Sequence, residues 1–410
     1  MDSEASPKTR RSSSRPTPNG YHANGSFNGP TVLATTSRSR AAPRTAWELA
    51  DLIRPLPQRQ RSVVKRPRVL PHYAALVKFL LDNRFATLSQ IQRRFAEFMP
   101  ADRTSRYQLA SLVSLGHLAT APVRSTSPNF PYVYYATPQG LRFVRESFAE
   151  LRQDHHPRRP ERIRPRGVTV SSILHELLVT EFDLTVWQTV ERSSNLAWVG
   201  TGETDSFLRD QQLVYDHAGR TGRLSPDSGF LVQTTPEPPS PTGRLLLHLT
   251  EIDNGTESPR RILAKYRGYQ HWYGSEQGRD FLATRCGTNA TRAGFRLLVV
   301  AHAYSPTDRA ARRLLDLFAQ ALELPRQMRE RIWLTTVESL RQHQDDPLPL
   351  AAPIWWRARD ARSWLGAYRQ QVARSPRRGP QQYERQRRFL AARMPNLARW
   401  PLFQRLLKGA

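Results

Sequence analysis

The chain has 410 residues, 39 % of them hydrophobic and 24 % charged, which is enough apolar content for two or three folded domains. Its net charge is +27, and the single cysteine, Cys286, excludes disulfides within the chain and a cysteine-based zinc site. Apolar runs such as Leu245–Leu249 are far shorter than the roughly 18 residues that cross a bilayer. Met1–Thr9 has no apolar segment of the signal-peptide kind, so we expect a cytoplasmic protein without a membrane partner.

The positive charge is concentrated at the two ends of the chain. Residues 1–68 carry 13 basic and 4 acidic side chains, and residues 354–410 carry 14 and 2. All but five of the basic residues are arginines, the side chain that pairs with phosphate through two hydrogen bonds. This distribution favours a polyanion partner, DNA first, over the alternative that the charge serves solubility alone.

The first 68 residues are predicted to form a disordered basic arm and linker. Met1–Arg44 consists mainly of Ser, Thr, Pro, Gly, Asn and Arg, so it cannot bury enough apolar surface to offset the entropy of ordering. A second proline-rich basic stretch, Arg54–Pro71, leads into the first segment with helical periodicity.

Residues 69–150 predict three helices followed by a hairpin, which is the order of a winged helix-turn-helix. Thr87 has the position and side chain of a helix N-cap, and Gly116 is a natural end for the third helix. The predicted elements are the helix Tyr73–Phe85, the helix that Thr87 begins, the helix Arg103–Leu115, and the strands Leu118–Arg124 and Tyr132–Thr137.

The third of these helices is the predicted DNA-reading element, because this helix enters the major groove in helix-turn-helix proteins. Its start carries short donors suited to base edges and phosphates, and the tip of the wing carries another arginine. A winged helix used only for protein contacts is the alternative reading. The predicted DNA-binding residues are Arg103, Ser105, Arg106, Gln108 and Arg124.

After a charged, proline-broken linker at residues 151–166, residues 167–340 alternate between helix and strand. This order predicts a mixed central sheet with helices on its faces, and thus an α/β (α+β) fold class. The predicted helices are Val168–Phe182, Pro259–Tyr273 and Asp308–Glu323, and the predicted strands are Leu184–Val190, Leu213–Tyr215, Gly229–Val232, Leu245–Ile252, Arg296–His302 and Ile332–Val337.

Carboxylates stand at the ends of two of these strands. Asp227 precedes one strand, and Glu251 and Asp253, two residues apart, leave another strand on one face. If the strands are neighbours, three carboxylates converge, and Mg²⁺ or Mn²⁺ is the cation expected to neutralise them. Lys265, on the next helix, is a compact charge that suits an attacking water or a phosphate oxygen.

These residues resemble the replication-relaxation family of plasmid- and mobile-element-associated proteins. The resemblance lies in Ser225-Pro226-Asp227, Thr250 to Glu257, Lys265 to Tyr269 and the helix Ile173 to Leu177, and it covers roughly residues 70–340. It implies a second domain similar to the PD-(D/E)xK restriction-endonuclease fold, with Asp227, Glu251 and Lys265 as catalytic residues and Glu176 as a further metal ligand. The chain departs from that motif because Asp253 stands where the motif has lysine, and Lys265 would substitute for it.

Residues 341–410 form a predicted basic, aromatic extension. Its tryptophans and arginines suit stacking and phosphate contact with nucleic acid, or equally a helical extension whose rings pack on the body. Two functions stay open for the whole chain: a DNA-binding protein of plasmid or mobile-element replication and relaxation that nicks DNA with a metal ion, or a winged-helix transcription regulator with an inactive nuclease-like domain. The regulator hypothesis adds a second copy of the chain, a homodimer, to the predicted partners.

Overall fold

A computed structural model describes residues 69–121, 132–148, 170–199, 208–209, 211–235, 245–286, 295–302, 308–374 and 379–403. Helices surround a mixed six-stranded sheet, which confirms the predicted α/β class. The predicted arm at residues 1–68 and the predicted linker at residues 151–166 lie outside the described residues. Among the described helices, none has both the length and the apolar character that crossing a membrane requires.

The N-terminal part of the described chain has three helices and a strand pair in the order that the sequence predicts for residues 69–150, together with a short strand and a fourth helix that were not predicted. Thr87 caps the second helix as predicted, since its hydroxyl accepts the Gln90 N–H and the Gln90 side chain accepts the Thr87 N–H. Gly116 follows the third helix with φ of 76°, the left-handed conformation that glycine adopts without strain. The winged-helix assignment itself stays a prediction. The elements are α1 (Tyr73–Asn83), β1 (Ala86–Thr87), α2 (Leu88–Arg94), α3 (Asp102–Ser114), β2 (Leu118–Thr120), β3 (Val133–Ala136) and α4 (Pro138–Ser147), with strand order β1-β3-β2.

The next helix, α5, runs without a break from Val170 to Glu191, so the predicted strand Leu184–Val190 is wrong. Apolar side chains cover this helix on all sides because it lies between the N-terminal part and the central sheet. The hydroxyls of Thr185 and Thr189 donate to the carbonyl oxygens four residues earlier, which keeps these polar groups satisfied inside a helix. Burial therefore outweighs the strand preference of the β-branched residues.

The central sheet has the order β11-β10-β9-β8-β7-β4. β8, β9 and β10 are parallel, while β7 runs antiparallel to β8, so the two strands that flank the carboxylates are neighbours as the argument for convergence required. β10 is not the last strand, because the two-residue β11 pairs with its outer edge. The strands are β4 (Leu196–Trp198), β7 (Ser228–Thr234), β8 (Leu245–Asp253), β9 (Phe295–Ala301), β10 (Ile332–Thr336) and β11 (Trp356–Arg357).

Helices pack on both faces of this sheet, and side chains alternate between two cores. Leu247 and Leu249 of β8 lie in one core with Leu297 of β9, and Ile252 and Leu298 lie in the other with α5. The helix α7 was not predicted. The helices are α6 (Pro259–Gly274), α7 (Glu276–Cys286), α8 (Asp308–Leu322), α9 (Arg326–Arg329) and α10 (Val337–Gln342).

A separate two-stranded hairpin stands beside α6. It consists of β5 (Leu213–His217) and β6 (Arg220–Leu224), and its turn places Ala218 and Gly219 at φ of 50° and 73°. Both positive values are those of a tight hairpin turn. The hairpin leads directly into Asp227 and β7.

The C-terminal part packs against the rest of the fold through its aromatic residues. Trp355, Trp356, Tyr368 and Phe403 are buried in the two cores, while the helices α11 (Leu365–Ala373) and α12 (Pro380–Arg393) cover α8. The Arg357 guanidinium lies 3.4 Å from the centroid of the Trp400 ring and also pairs with Asp360. These aromatic rings therefore serve packing, the second of the two readings that the sequence left open.

Candidate functional site

A cavity of about 220 Å³ lies where β8 ends and β7 begins. Asp227, Glu251 and Lys265 all line it, together with His175 of α5 and Asn254. Three residues that the sequence predicted as catalytic are thus brought together from a strand start, a strand end and the following helix.

Asp227 is fixed by two partners. β7 begins at Ser228, opposite Thr250 of β8. The side chain of Asp227, one residue earlier, accepts the backbone N–H of Ile252 at 2.8 Å. Its other oxygen lies 3.1 Å from Nε2 of His175. Burial acts to raise the pKa of Asp227, but His175, Lys265 and the Ile252 N–H outweigh it and hold that pKa below its ordinary value. Asp227 is therefore a carboxylate at neutral pH.

Glu251 and Lys265 form an ion pair inside the cavity, with Nζ 2.5 Å from Oε2. The Tyr269 hydroxyl donates to the other oxygen of Glu251. Burial raises the pKa of Glu251 to about 8, because removal of water penalises its charge more than Lys265 offsets. The charges of Glu251 and Asp227 raise the pKa of Lys265 against the effect of its burial. Lys265 favours the charged form of Glu251 but offsets only part of the effect of burial, so a further cation in the cavity would stabilise that charge.

Asp253 is held by an arginine and does not face Asp227 as a third free carboxylate. Although it lines the cavity, both of its oxygens accept from Arg313 of α8, one of them at 2.6 Å. Both side chains are only 8 % exposed, so Arg313 neutralises Asp253 within the protein. Asp253 therefore has a structural partner in Arg313, and its role as a metal ligand stays a prediction.

Glu176, unlike Asp253, does not line the cavity. Its carboxylate contacts Arg84 at 2.5 Å and Arg209 at 3.1 Å, which connects α5 to the loop after α1. One residue along a helix corresponds to a turn of about 100°, so Glu176 and His175 project from different sides of α5. The structure thus pairs Glu176 with two arginines, and the side chain that α5 presents to the cavity is His175.

His175 and Asn254 are the site residues that the sequence indicated least. Asn254 Nδ2 lies 3.0 Å from Nδ1 of His175, and Nε2 of the same ring faces Asp227. Burial acts to lower the pKa of His175, but the hydrogen bond and charge of Asp227, with Glu176 and Glu251, raise it above its ordinary value. The only sequence signal was a histidine between Leu174 and Leu177, which core histidines share.

The donor set of the cavity fits one hydrated divalent cation. Magnesium commonly binds one or two carboxylates and keeps several waters, and Asp227 and Glu251 supply two. In the described part of the chain, Asn254 Oδ1 and the Tyr266 hydroxyl are buried without a hydrogen-bond partner, and both residues line the cavity. Such oxygens are available to a bound water or ligand. No three His, Cys, Asp or Glu side chains among the described residues are grouped to hold a metal by themselves. Of the four predicted carboxylate ligands, Asp227 and Glu251 are the two that no arginine holds in the described structure.

The predicted DNA-binding residues divide into two groups. Arg103 and Arg106 are exposed on α3, and Arg106 has only a loose 3.6 Å ion pair with Asp102. Ser105 is fully buried and donates to the Ala101 carbonyl, and Gln108 is 6 % exposed and lies 2.9 Å from His72. These two side chains face the interior, so the exposed side of α3 does not present them for the predicted contact with bases. Arg124 lies outside the described residues.

The comparison with known proteins gives one match. No curated protein and no solved structure matches the chain. The model of the family described as replication-relaxation matches residues 77–283, about half of the chain, from α1 to α7, and this span includes Asp227, Glu251 and Lys265. The chain therefore belongs to the replication-relaxation family.

Proposed function

We propose that this protein binds DNA and nicks it at the cavity, as part of the replication or relaxation of plasmid or mobile-element DNA. The observation that carries the proposal is the convergence of Asp227, Glu251 and Lys265 on one cavity inside the span that matches the family. Two carboxylates can hold a divalent cation, and a lysine beside them can meet the negative charge of a phosphate, which suits metal-dependent phosphodiester hydrolysis.

The N-terminal part supplies the DNA contact in this proposal. α3 presents Arg103, Thr104, Arg106 and Tyr107 on its exposed side, and its first turn is where a reading helix meets base edges. The predicted winged-helix character of residues 69–150 is part of this proposal.

The cavity residues have separate roles. Asp227 and Glu251 would hold the cation, which when bound polarises a phosphate oxygen and lowers the pKa of a coordinated water. The Ile252 N–H and His175 hold Asp227 in place, and Tyr269 holds Glu251. Lys265 is 30 % exposed, so its ammonium reaches the cavity and can meet the negative charge of a phosphate.

The test is a nicking assay on supercoiled plasmid with Mg²⁺ or Mn²⁺, alongside a melting measurement. The wild-type protein should relax the plasmid, and metal should raise its melting temperature by mass action. Asp227→Asn and Glu251→Gln keep side-chain shape but remove a charged ligand, so each should abolish both effects. Lys265→Ala should keep the melting shift and lose cleavage.

Glu176→Gln is the matched control, since this acid is on the same helix as His175 but contacts Arg84 and Arg209. It should lower stability and leave the metal-dependent shift and the cleavage in place. If wild-type melting is indifferent to millimolar Mn²⁺ with DNA present and no plasmid is nicked, the nuclease proposal fails.

A second candidate function is a DNA-binding regulator whose nuclease-like domain is inactive. Two contacts favour it: Arg313 holds Asp253, and Lys265 and Tyr269 hold Glu251, so protein side chains already engage two of the carboxylates predicted to bind a metal. This function is supported if the wild-type protein binds a specific duplex, nicks nothing, and Asp227→Asn binds equally well.

A further inference from the structure

Five exposed arginines lie on α6 and on the β5–β6 hairpin. Helix α6 carries Lys265 and three arginines and no acidic residue, and the hairpin carries two arginines and one acid, Asp216. None of the five guanidinium groups forms an ion pair with a carboxylate of the described residues. The five are Arg220, Arg223, Arg260, Arg261 and Arg267.

Several arginines elsewhere in the described chain are neutralised by carboxylates of the fold. Arg209 pairs with Glu176, Arg313 with Asp253, and Arg387 with Asp316. The arginines on α6 and the hairpin have no such structural partner, so their charge is available to an external anion.

The hairpin is held tightly against the helix that carries Lys265. A Cβ on Gly268 would lie 2.8 Å from Leu224 Cδ2 and 3.2 Å from the Tyr215 hydroxyl, so glycine permits this close approach. Leu224 is three residues before Asp227, and Lys265 is three residues before Gly268. The base of the hairpin and the middle of α6 are therefore joined through a few residues of chain to two residues that line the cavity, Asp227 and Lys265.

The same surface offers stacked rings. The ring centroids of His217 and His271 are 3.5 Å apart, and Tyr215 stacks on His271 at 6.1 Å. His217 is exposed, so the far face of its ring is open. Burial, His217 and Arg267 all lower the pKa of His271, which keeps this ring uncharged at neutral pH. Rings beside unpaired arginines are the usual surface for a nucleic-acid strand.

We infer that the exposed side of α6 and of the β5–β6 hairpin holds the phosphate backbone of a DNA strand beside the cavity, with the His217 ring against a base. This inference rests on the proposed function, because it names the surface through which that site meets its substrate. The proposed ligand is a DNA strand, and the test uses single-stranded and duplex oligonucleotides separately.

The test compares two triple variants of the full chain by fluorescence anisotropy over a range of salt concentrations. The first is Arg220→Gln, Arg223→Gln and Arg267→Gln. The matched control is Arg362→Gln, Arg369→Gln and Arg374→Gln, which removes the same charge from exposed residues near α11. If all three arginines of the first set touch phosphates, the log-log salt slope should become less steep by about 2 on single strands and by about 2.7 on duplex. The control should keep the wild-type slope.

His217→Ala separates base stacking from charge. It should weaken binding to a single-stranded oligonucleotide, and an abasic oligonucleotide should bind wild type and variant equally. Wild-type binding and nicking with an unchanged slope in the first triple variant overturn the inference and leave the proposed function standing. An equal loss in both triple variants also overturns it, because the effect is then general charge. A wild type that neither binds nor nicks DNA removes the proposed function and the inference together.

Discussion

The ion pair between Asp253 and Arg313 should act as a structural unit that the cavity chemistry does not need. Arg313 donates to both oxygens of Asp253 and, at 2.8 Å, to the Glu257 carbonyl, so it joins the end of β8 and the following loop to α8. Replacing either charged partner by alanine leaves the other one buried without a counter-charge. Asp253→Ala, Arg313→Ala and the double variant therefore test the pair as a double-mutant cycle.

The expected loss follows from burial, since each side chain is only 8 % exposed and solvent screens the pair little. Breaking a buried pair from one side costs about 3–5 kcal/mol of unfolding free energy. The double variant should lose much less than the sum of the two single losses, because it leaves no unpaired charge. A coupling energy of about 2–3 kcal/mol is at the upper end of what contacting residues show.

Urea unfolding followed by tryptophan fluorescence measures the four members of this cycle. Single losses that add to within about 0.5 kcal/mol would refute the reasoning, since additivity is the behaviour of independent sites. Asp253→Ala should still show the metal-dependent rise in melting temperature, because the proposed ligands are Asp227 and Glu251. Loss of that shift in a folded Asp253→Ala protein would restore Asp253 as a ligand.

Three further predictions concern other parts of the fold. Burial keeps the pKa of His248 well below its ordinary value, so below about pH 6.5 the histidine takes up a proton only in the unfolded chain. The free energy of unfolding should therefore fall on acidification by up to about 1.4 kcal/mol per pH unit from this group. His248→Leu should flatten that slope in urea titrations at pH 5 to 7. Arg103→Gln should weaken DNA binding at unchanged melting temperature, whereas Gln108→Ala should lower the melting temperature at unchanged affinity, and the reverse pattern would contradict the division of α3. Gly268→Ala should cost about 1–3 kcal/mol by displacing Leu224, and an unchanged midpoint in urea would show that the hairpin yields freely.

Local sequence determined those features that depend on neighbouring residues. Thr87 and Gln90 form a capping box because both partners lie within one helical turn. Alternation and turn chemistry placed Asp227 and Glu251 at the ends of two strands, and their convergence was conditional on those strands being neighbours, which the pairing of β7 with β8 shows. The sequence also indicated Lys265, because it is a rare lysine in a chain rich in arginine.

Local preference failed where burial decided the outcome. Leu184–Val190 has the β-branched residues of a strand, yet it continues α5, since this segment is enclosed by two layers and a helix satisfies its own backbone there. The aromatic C-terminal part showed the same limit, because its composition suited either a nucleic acid or a core. Only the packing of Trp355 and Tyr368 separated these readings.

Tertiary structure alone decided which charged groups share the cavity. Arg313 is 60 residues from Asp253, and Arg209 is 33 residues from Glu176, so no local pattern reveals that arginines capture these two acids. The choice between Glu176 and His175 depends on a rotation of about 100° around α5, which is set by what packs on each side of that helix. Sequence by itself determined the family, the fold class and the candidate carboxylates with their lysine, because these follow from residue order, whereas the adjacency of β7 and β8 is a property of the tertiary structure. The reduction of the site to that pair depends on long-range ion pairs, which exist only once α5, β8 and α8 have come together.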